Sequence, residues 1–194
     1  MTSTGNPRPG AFIDRDGVIN EERAYVHRVE DFVLLPNAIA GLRALADAGF
    51  ALVVVTNQAG VAHGYYDEAA VRTLHEHLQD LLAHEGLHLD AIRYCPHHPL
   101  GATPAYRQAC ECRKPAPGMV LDAARALGLD LAASVMIGDK LSDVQAGRAA
   151  GVGLNIFVRF GHVLRDGDAQ QADVVCDDLL DVARCIVTRS NIGS

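Results

Sequence analysis

The sequence predicts an α/β chain with a single doubly wound parallel sheet flanked by helices. Three observations predict it. Short apolar runs alternate with helical patterns along the chain, the order that gives parallel strands joined by crossover helices. The polar residues best suited to chemistry fall directly after those runs, where a doubly wound sheet keeps its ligands. The chain has 194 residues, 49% hydrophobic and 21% charged, which is enough for one domain with one core.

The elements follow in order. Residues 1–10, rich in Thr, Ser, Gly and Pro, read as a flexible arm ahead of a domain over 11–190. The run 11–14 is a strand. Residues 36–48 carry Ile39, Leu42, Leu45 and Ala46 at helical spacing and close on Gly49. The β-branched run 50–55 is a strand. Residues 67–85 form a helix with Asp67 as N-cap, an apolar face of Val71, Leu74, Leu78, Leu81 and Leu82, and Gly86 past its end. A short strand at 91–94 precedes a loop. The pattern continues with helix 118–127, strand 134–138, helix 142–150, strand 154–158, strand 173–176 and helix 177–187. The stretches 20–56 and 56–114 are too short to hold a cap domain, so an open-mouthed site is expected. His75, His77, His84 and His88 read as solvated helix residues, and Cys176 and Cys185 as passive core.

Four pieces carry chemistry. Asp14-Arg15-Asp16-Gly17 follows the first apolar run. Its two carboxylates project to one side and Arg15 to the other. Such a pair can share a hard cation and leave an oxygen free to attack phosphorus. Thr56-Asn57-Gln58 ends the second strand and offers a hydroxyl and amides to phosphoryl oxygens. Lys114 precedes the helix start at Pro117 and supplies positive charge. Gly138-Asp139-Lys140, with Asp143 at a helix start, suits one direct cation ligand and one supporting carboxylate. Alone, each piece is as well explained by turns and caps; the order of all four is what carries the signal.

A second constellation is Cys95-Pro96-His97 and Cys110-Glu111-Cys112, either side of a proline- and glycine-bearing loop. Three thiolates and one imidazole suit tetrahedral zinc, with no open position, so a staple over 95–112 is expected. Disulfides are the competing account, against which stand the strain of a Cys-x-Cys bridge and the presence of His97. His98 is an alternative fourth ligand.

The ordered motifs resemble the haloacid dehalogenase (HAD) superfamily of phosphatases over roughly 11–153. The resemblance implies Asp14 as nucleophile, Asp16 as general acid/base, and Thr56 and Lys114 as phosphoryl stabilisers. It implies magnesium held by Asp14, the Asp16 backbone carbonyl and Asp139, with Lys140 and Asp143 in support. The runs 94–99 and 110–115, with 20–27 and 57–62, are similar to the D-glycero-D-manno-heptose-1,7-bisphosphate 7-phosphatase family. That likeness implies His97 as the zinc ligand and Arg113 at a second phosphate. It also implies Asn57, Gln58 and the segment Glu22, Arg23, Ala24, Tyr25 around a sugar. The related histidinol-phosphate phosphatases are the alternative, and a zinc-stapled binding module on an inert scaffold is a reading of a different class. Glu21 to Ala24 and Ala59 depart from the family's usual residues and bear on the sugar, not on the reaction.

The bulk properties limit partners. A net charge of −7 argues against general nucleic-acid binding, so phosphate capture must be local. No apolar run is long enough for a bilayer, and no secretory leader is visible. A cytoplasmic monomer with reduced thiols and a small phosphorylated sugar as substrate is the expectation.

Overall fold

In a computed structural model, which describes residues 7–159 and 171–192, six parallel strands form one sheet. The elements run β1 (Pro9–Ile13), α1 (Ala38–Asp47), β2 (Ala51–Asn57), α2 (Gly60–His63), α3 (Glu68–His84), β3 (Ala91–Cys95), α4 (Gly118–Leu127), β4 (Asp130–Gly138), α5 (Leu141–Ala150), β5 (Leu154–Val158), β6 (Val174–Cys176) and α6 (Leu179–Ile192). The strand order is β3-β2-β1-β4-β5-β6. The order reverses at β1, which opens a crevice beyond its C-terminal end and that of β4.

Strand alternation sorts the core into two layers. Ala11, Ile13, Leu52, Val54, Val135 and Ile137 face one side, packed with Leu42 and Leu45 of α1, Leu74, Leu78 and Leu82 of α3, and Leu179 and Val182 of α6. Phe12, Val53, Val55 and Met136 face the other, against Met119, Val120 and Ala123 of α4. A one-residue slip in any central strand would exchange the two sets, so the register is held from both faces.

The expected elements are present, with shifted ends. Of the arm expected over 1–10, residues 1–6 lie outside the described residues, and Pro9 and Gly10 open β1. Arg8 is tied there by a 2.9 Å ion pair with Asp90 and by a bond to the Phe50 carbonyl. Strand β4 begins four residues before its expected start, at Asp130, which pairs with Pro9 across an irregular register. Ala132 and Ala133 are exposed, so that stretch carries no apolar alternation to read. Asp67 caps α3 as expected, accepting from the Ala70 amide at 2.9 Å. The single turn α2 has no sequence signal of its own.

Between β1 and α1 the chain holds loop and one short 3₁₀ turn, Val29–Asp31. Between β3 and α4 it holds a loop and a second 3₁₀ turn, Pro104–Tyr106. Neither insertion contains a separate layer, so among the described residues the mouth over the strand ends is roofed by loops and single turns. No helix among the described residues is long and apolar enough to cross a membrane.

Candidate active site and metal centres

A cavity of about 510 Å³ opens over the C-terminal ends of β1, β2 and β4. Asp14, Asp16, Thr56, Lys114 and Asp143 line it, with Glu22, Ala24, Tyr25, Asn57, Gln58, Arg113 and Lys140. Arg23 does not: it points outward and pairs with Glu21 at 2.6 Å. Tyr66, Ala59, Pro115 and Ser142 also line the cavity; Ala59 and Pro115 fall inside the family-like runs 57–62 and 110–115, whereas Tyr66 carries no local motif that would have marked it.

Lys114 is the centre of charge. Its ammonium is buried and meets Asp143 at 2.6 Å and Asp14 at 3.0 Å, and donates to the Val55 carbonyl at 2.7 Å. Those three contacts use all its protons. Burial opposes its charge, but Asp14 and Asp143 outweigh burial and hold its pKa above the ordinary lysine value. Asn57 fixes the lysine's backbone from β2: its amide donates to the Lys114 carbonyl at 3.0 Å and accepts from the Lys114 N–H at 3.1 Å. The Lys114–Pro115 peptide is cis.

Asp14 sits where β1 ends, its N–H bonded to the Ile137 carbonyl of β4 at 2.9 Å. Its Oδ1 accepts from the Arg15 N–H at 2.8 Å and meets Lys114. Among the described residues Oδ2 takes no such bond, which leaves it as the oxygen able to attack. Gly17 follows at φ 85°, where a side chain would be strained and would also collide with the Asp139 carboxylate. The glycine therefore lets the first and fourth strand ends close on one another.

Asp14, Asp139 and Asp143 bring carboxylate oxygens within 4.8 Å of one another. Asp139 Oδ1 is buried without a hydrogen-bond partner. Burial, and then the Asp14 charge, push Asp139 up to about 8. Burial likewise pushes Asp143 up to about 6 against the pull of Lys114. Crowded buried carboxylates with an unmet oxygen fit a hard divalent cation, which takes oxygen ligands and removes the repulsion.

Asp16 is held differently from the alternation expected of a strand, because β1 stops at Ile13. Both Asp16 and Asp14 reach the cavity, but the Asp16 carboxylate accepts from Arg15 Nη2 at 2.9 Å on both oxygens, from Asn20 Nδ2 at 3.0 Å and from Gln58 Nε2 at 3.0 Å. Burial raises its pKa, yet the Arg15 charge and these bonds prevail, so it is lowered and the group is ionised at rest. The fully buried Arg15 extends on to His75 Nε2 of α3 at 3.2 Å and donates to the Val26 carbonyl. His75 is thus a core residue, correcting the solvated position expected of it. Burial and the Arg15 charge lower it to about 3, so it stays neutral.

The cysteine cluster forms as the spacing suggests. Sγ–Sγ distances among Cys95, Cys110 and Cys112 are 3.1 to 3.5 Å, and His97 Nδ1 lies 3.4 Å from Cys112 Sγ and 3.7 Å from Cys95 Sγ. His98 is elsewhere: its Nδ1 accepts from the Leu100 N–H. Four soft donors this close suit tetrahedral zinc, whose bonds to sulfur of about 2.3 Å would spread the sulfurs to about 3.8 Å. Burial raises the Cys95 and Cys112 thiols; for Cys110 the bonds from the other two thiols outweigh burial and lower it. Glu68 of α3 ties the loop down, accepting from Tyr94 at 2.5 Å and Tyr106 at 2.8 Å. Arg113 leaves the cluster toward the cavity, anchored by the His97 carbonyl at 3.2 Å.

A family model described as HAD-hyrolase-like matches residues 111–182. The chain is 47% identical over 178 residues to D-glycero-beta-D-manno-heptose-1,7-bisphosphate 7-phosphatase of Escherichia coli (strain K12), covering 92% of this chain and 93% of that protein. The chain belongs to this phosphatase family. The Yersinia pestis member is 44% identical over 182 residues, 93% of this chain and 96% of its own. The family's solved D,D-heptose 1.7-bisphosphate phosphatase from B. bronchiseptica, complexed with magnesium and phosphate, superposes with a TM-score of 0.78 at 33% identity, over 93% of this chain and 99% of that one. Membership makes the chain a HAD phosphatase, a hydrolase of phosphoric monoesters.

Proposed function

We propose that the chain hydrolyses the 7-phosphate of D-glycero-D-manno-heptose 1,7-bisphosphate through an aspartyl-phosphate on Asp14. The observation that carries the reading is the Asp14–Lys114–Asp143 arrangement at the strand crossover, with Asp16 and Arg113 lining the same cavity. The 47% identity to a curated enzyme of that name supports the substrate.

Asp14 Oδ2 attacks phosphorus, and the P–O bond to the sugar breaks as the new bond forms. The phosphate dianion approaching Asp16 raises its proton affinity, so Asp16 takes up a proton and passes it to the departing alkoxide. In the second half Asp16 accepts a proton from water, which attacks phosphorus and frees Asp14. Thr56 and Lys114 hold the equatorial oxygens, Lys114 turning to them the proton that it gives Asp14 at rest. Asp14, Asp139 and the Asp16 backbone carbonyl would hold magnesium, with Asp143 and Lys140 in support. When bound there, the ion supplies positive charge to the phosphoryl group. Zinc in the Cys95–His97–Cys110–Cys112 cluster would fix the loop that presents Arg113 to the second phosphate.

Asn57, Gln58, Glu22, Ala24 and Tyr25 surround the sugar in this reading. Arg23 is removed from that set by its outward position. The reading places the enzyme in the cytoplasm as a monomer of one domain over 11–190, in a compartment that keeps the cluster's thiols reduced.

The test is phosphate release from α- and β-heptose bisphosphates, histidinol phosphate and fructose bisphosphate with magnesium present, on the parent and on Arg113→Ala. A heptose bisphosphate should be turned over best. Arg113→Ala should raise KM for the bisphosphate by about 10- to 100-fold, the range expected for a charge-assisted bond at 1.5–3 kcal/mol. It should leave monophosphates nearly unchanged. Equal effects on both, or preference for histidinol phosphate, would overturn the assignment.

A further inference from the structure

The proton-carrying residue of the proposed mechanism is surrounded by groups that, Gln58 apart, have no assigned role. The Asp16 carboxylate has only a thin exposed edge, 14% of the side chain, facing the cavity. Its two oxygens accept five N–H contacts, from Arg15, Asn20 and Gln58. A carboxylate has about four lone-pair sites, so the set is saturated and its orientation depends on how those donors are held.

Arg15 is also held by the Val26 carbonyl and Gln58 by Thr56 Oγ1, and two outer residues complete the hold. Gln58 has a donor end and an acceptor end, and only the donor end suits Asp16. The Tyr66 hydroxyl donates to Gln58 Oε1 at 2.9 Å, which fixes that end as the acceptor and turns Nε2 toward Asp16. Tyr66 is itself wedged. Its ring stacks on His27 at 4.6 Å and 11°, and it occupies space that a side chain at position 60 would take. On the other side, His75 Nε2 lies 3.2 Å from Arg15 Nη1. Arg15 has only donors, so a neutral imidazole there must accept, and it steers the guanidinium fork onto Asp16. His75 is 6% exposed and Arg15 fully buried, so water does not substitute for either contact.

We propose that His75 and Tyr66 are positioning residues for proton transfer, acting through Arg15 and Gln58 to aim the Asp16 carboxylate at the leaving oxygen. The proposal rests on the reading of Asp16 as general acid. Loss of either outer residue removes one of the contacts that aim its inner partner and leaves the carboxylate less well directed, while Asp14, Lys114 and the acidic cluster keep their own contacts.

The consequence is selective. A sugar alkoxide needs a proton to leave; p-nitrophenolate does not. The experiment measures the rate of leaving-group release in a single turnover at saturating substrate, for the sugar phosphate and for p-nitrophenyl phosphate. It uses the full-length protein and Tyr66→Phe, His75→Phe, His75→Gln and Asp16→Asn. General acid catalysis is worth about 10²- to 10⁴-fold, so Asp16→Asn should lose about that factor on the sugar phosphate and far less on the aryl ester. Tyr66→Phe and His75→Phe should lose about tenfold on the sugar phosphate and less than about twofold on the aryl ester, a part of the same term. His75→Gln keeps an acceptor at similar reach and should recover most of the rate.

Equal losses on both substrates would mean a merely structural role, and no loss on either would remove the assignment. Tyr66→Phe keeps the ring and its stacking, so it tests the idea even if His75→Phe fails to fold. If Asp16→Asn also slows both substrates alike, the general-acid reading fails with it. Selectivity in Asp16→Asn alone overturns only the positioning roles.

Discussion

Replacing Asp139 with asparagine separates what the site costs from what it does. Burial and the neighbouring Asp14 charge raise Asp139 from an ordinary 3.8 to about 8. At pH 7 the metal-free folded state keeps a proton that the unfolded chain has already released. The Asp139 contribution to stability therefore falls as pH rises from about 4 to about 8 and is flat outside that window. Roughly three units lie between 3.8 and 7, worth about 4 kcal/mol at 1.36 kcal/mol per unit. Asparagine never ionises but still buries a polar end, which returns about 1–3 kcal/mol of that. Without added magnesium, Asp139→Asn should thus be more stable than the parent by about 1–3 kcal/mol, or about 2–10 °C in melting midpoint for a chain of this size. The gain should shrink as pH falls toward 4. Magnesium at a hundred times its dissociation constant should stabilise the parent by about 2.7 kcal/mol and the variant hardly at all. Thermal melts at pH 5, 7 and 8.5, with and without magnesium, give all of these numbers. A variant less stable than the parent in magnesium-free buffer at pH 8.5, or one that still responds fully to magnesium, would refute the reasoning.

The other expectations concern the nucleophile and the staple. Asp14→Asn should abolish phosphate release and leave circular dichroism and melting midpoint close to the parent, since Lys114 keeps its 2.6 Å contact with Asp143; retained turnover would place the nucleophile elsewhere. Cys110→Ser should cut the zinc content of the purified protein from about one equivalent to little, and lower stability by several kcal/mol, because metal-binding energy at such a site is folding energy; unchanged metal analysis would remove the zinc assignment.

The fold was legible because its strands are short continuous apolar runs, buried on both faces, and its helices end on glycines or start on a cap, signals confined to a few neighbouring residues. The boundaries that moved are those where the signal is not local. Asp130 joins β4 only because Pro9 lies beside it, and α2 is a single turn held by the chain around it. The site divides along the same line. Asp14, Thr56 and Asp139 each follow an apolar run, so a strand-end reading of the sequence places them together, and Lys114 is marked instead by the helix start that follows it. Arg23 could not be judged that way, since nothing in 20–27 says which side chains turn inward.

What local patterns miss at this site is the wiring that spans sequence distance. Arg15 looks like the outward residue of an alternating strand, yet the strand has ended and its guanidinium folds back onto the adjacent Asp16. It is kept there by His75, sixty positions away, and Gln58 is kept by Tyr66 on a turn of its own. A buried arginine with its charge facing a carboxylate is expensive unless its protons are used. Here the bonds to Asp16, His75 and the Val26 carbonyl engage all three nitrogens and four of the five protons. The same chain therefore carries two buried ion pairs of opposite design, side by side. Lys114 is shared by two carboxylates that also crowd Asp139, an arrangement left short of positive charge and suited to taking up a cation. Arg15–Asp16 is complete without one. A site that must both gather a metal-bound phosphate and move a proton needs one pair of each kind, and the register of β1 against β2 and β4 sets the two pairs on the same cavity.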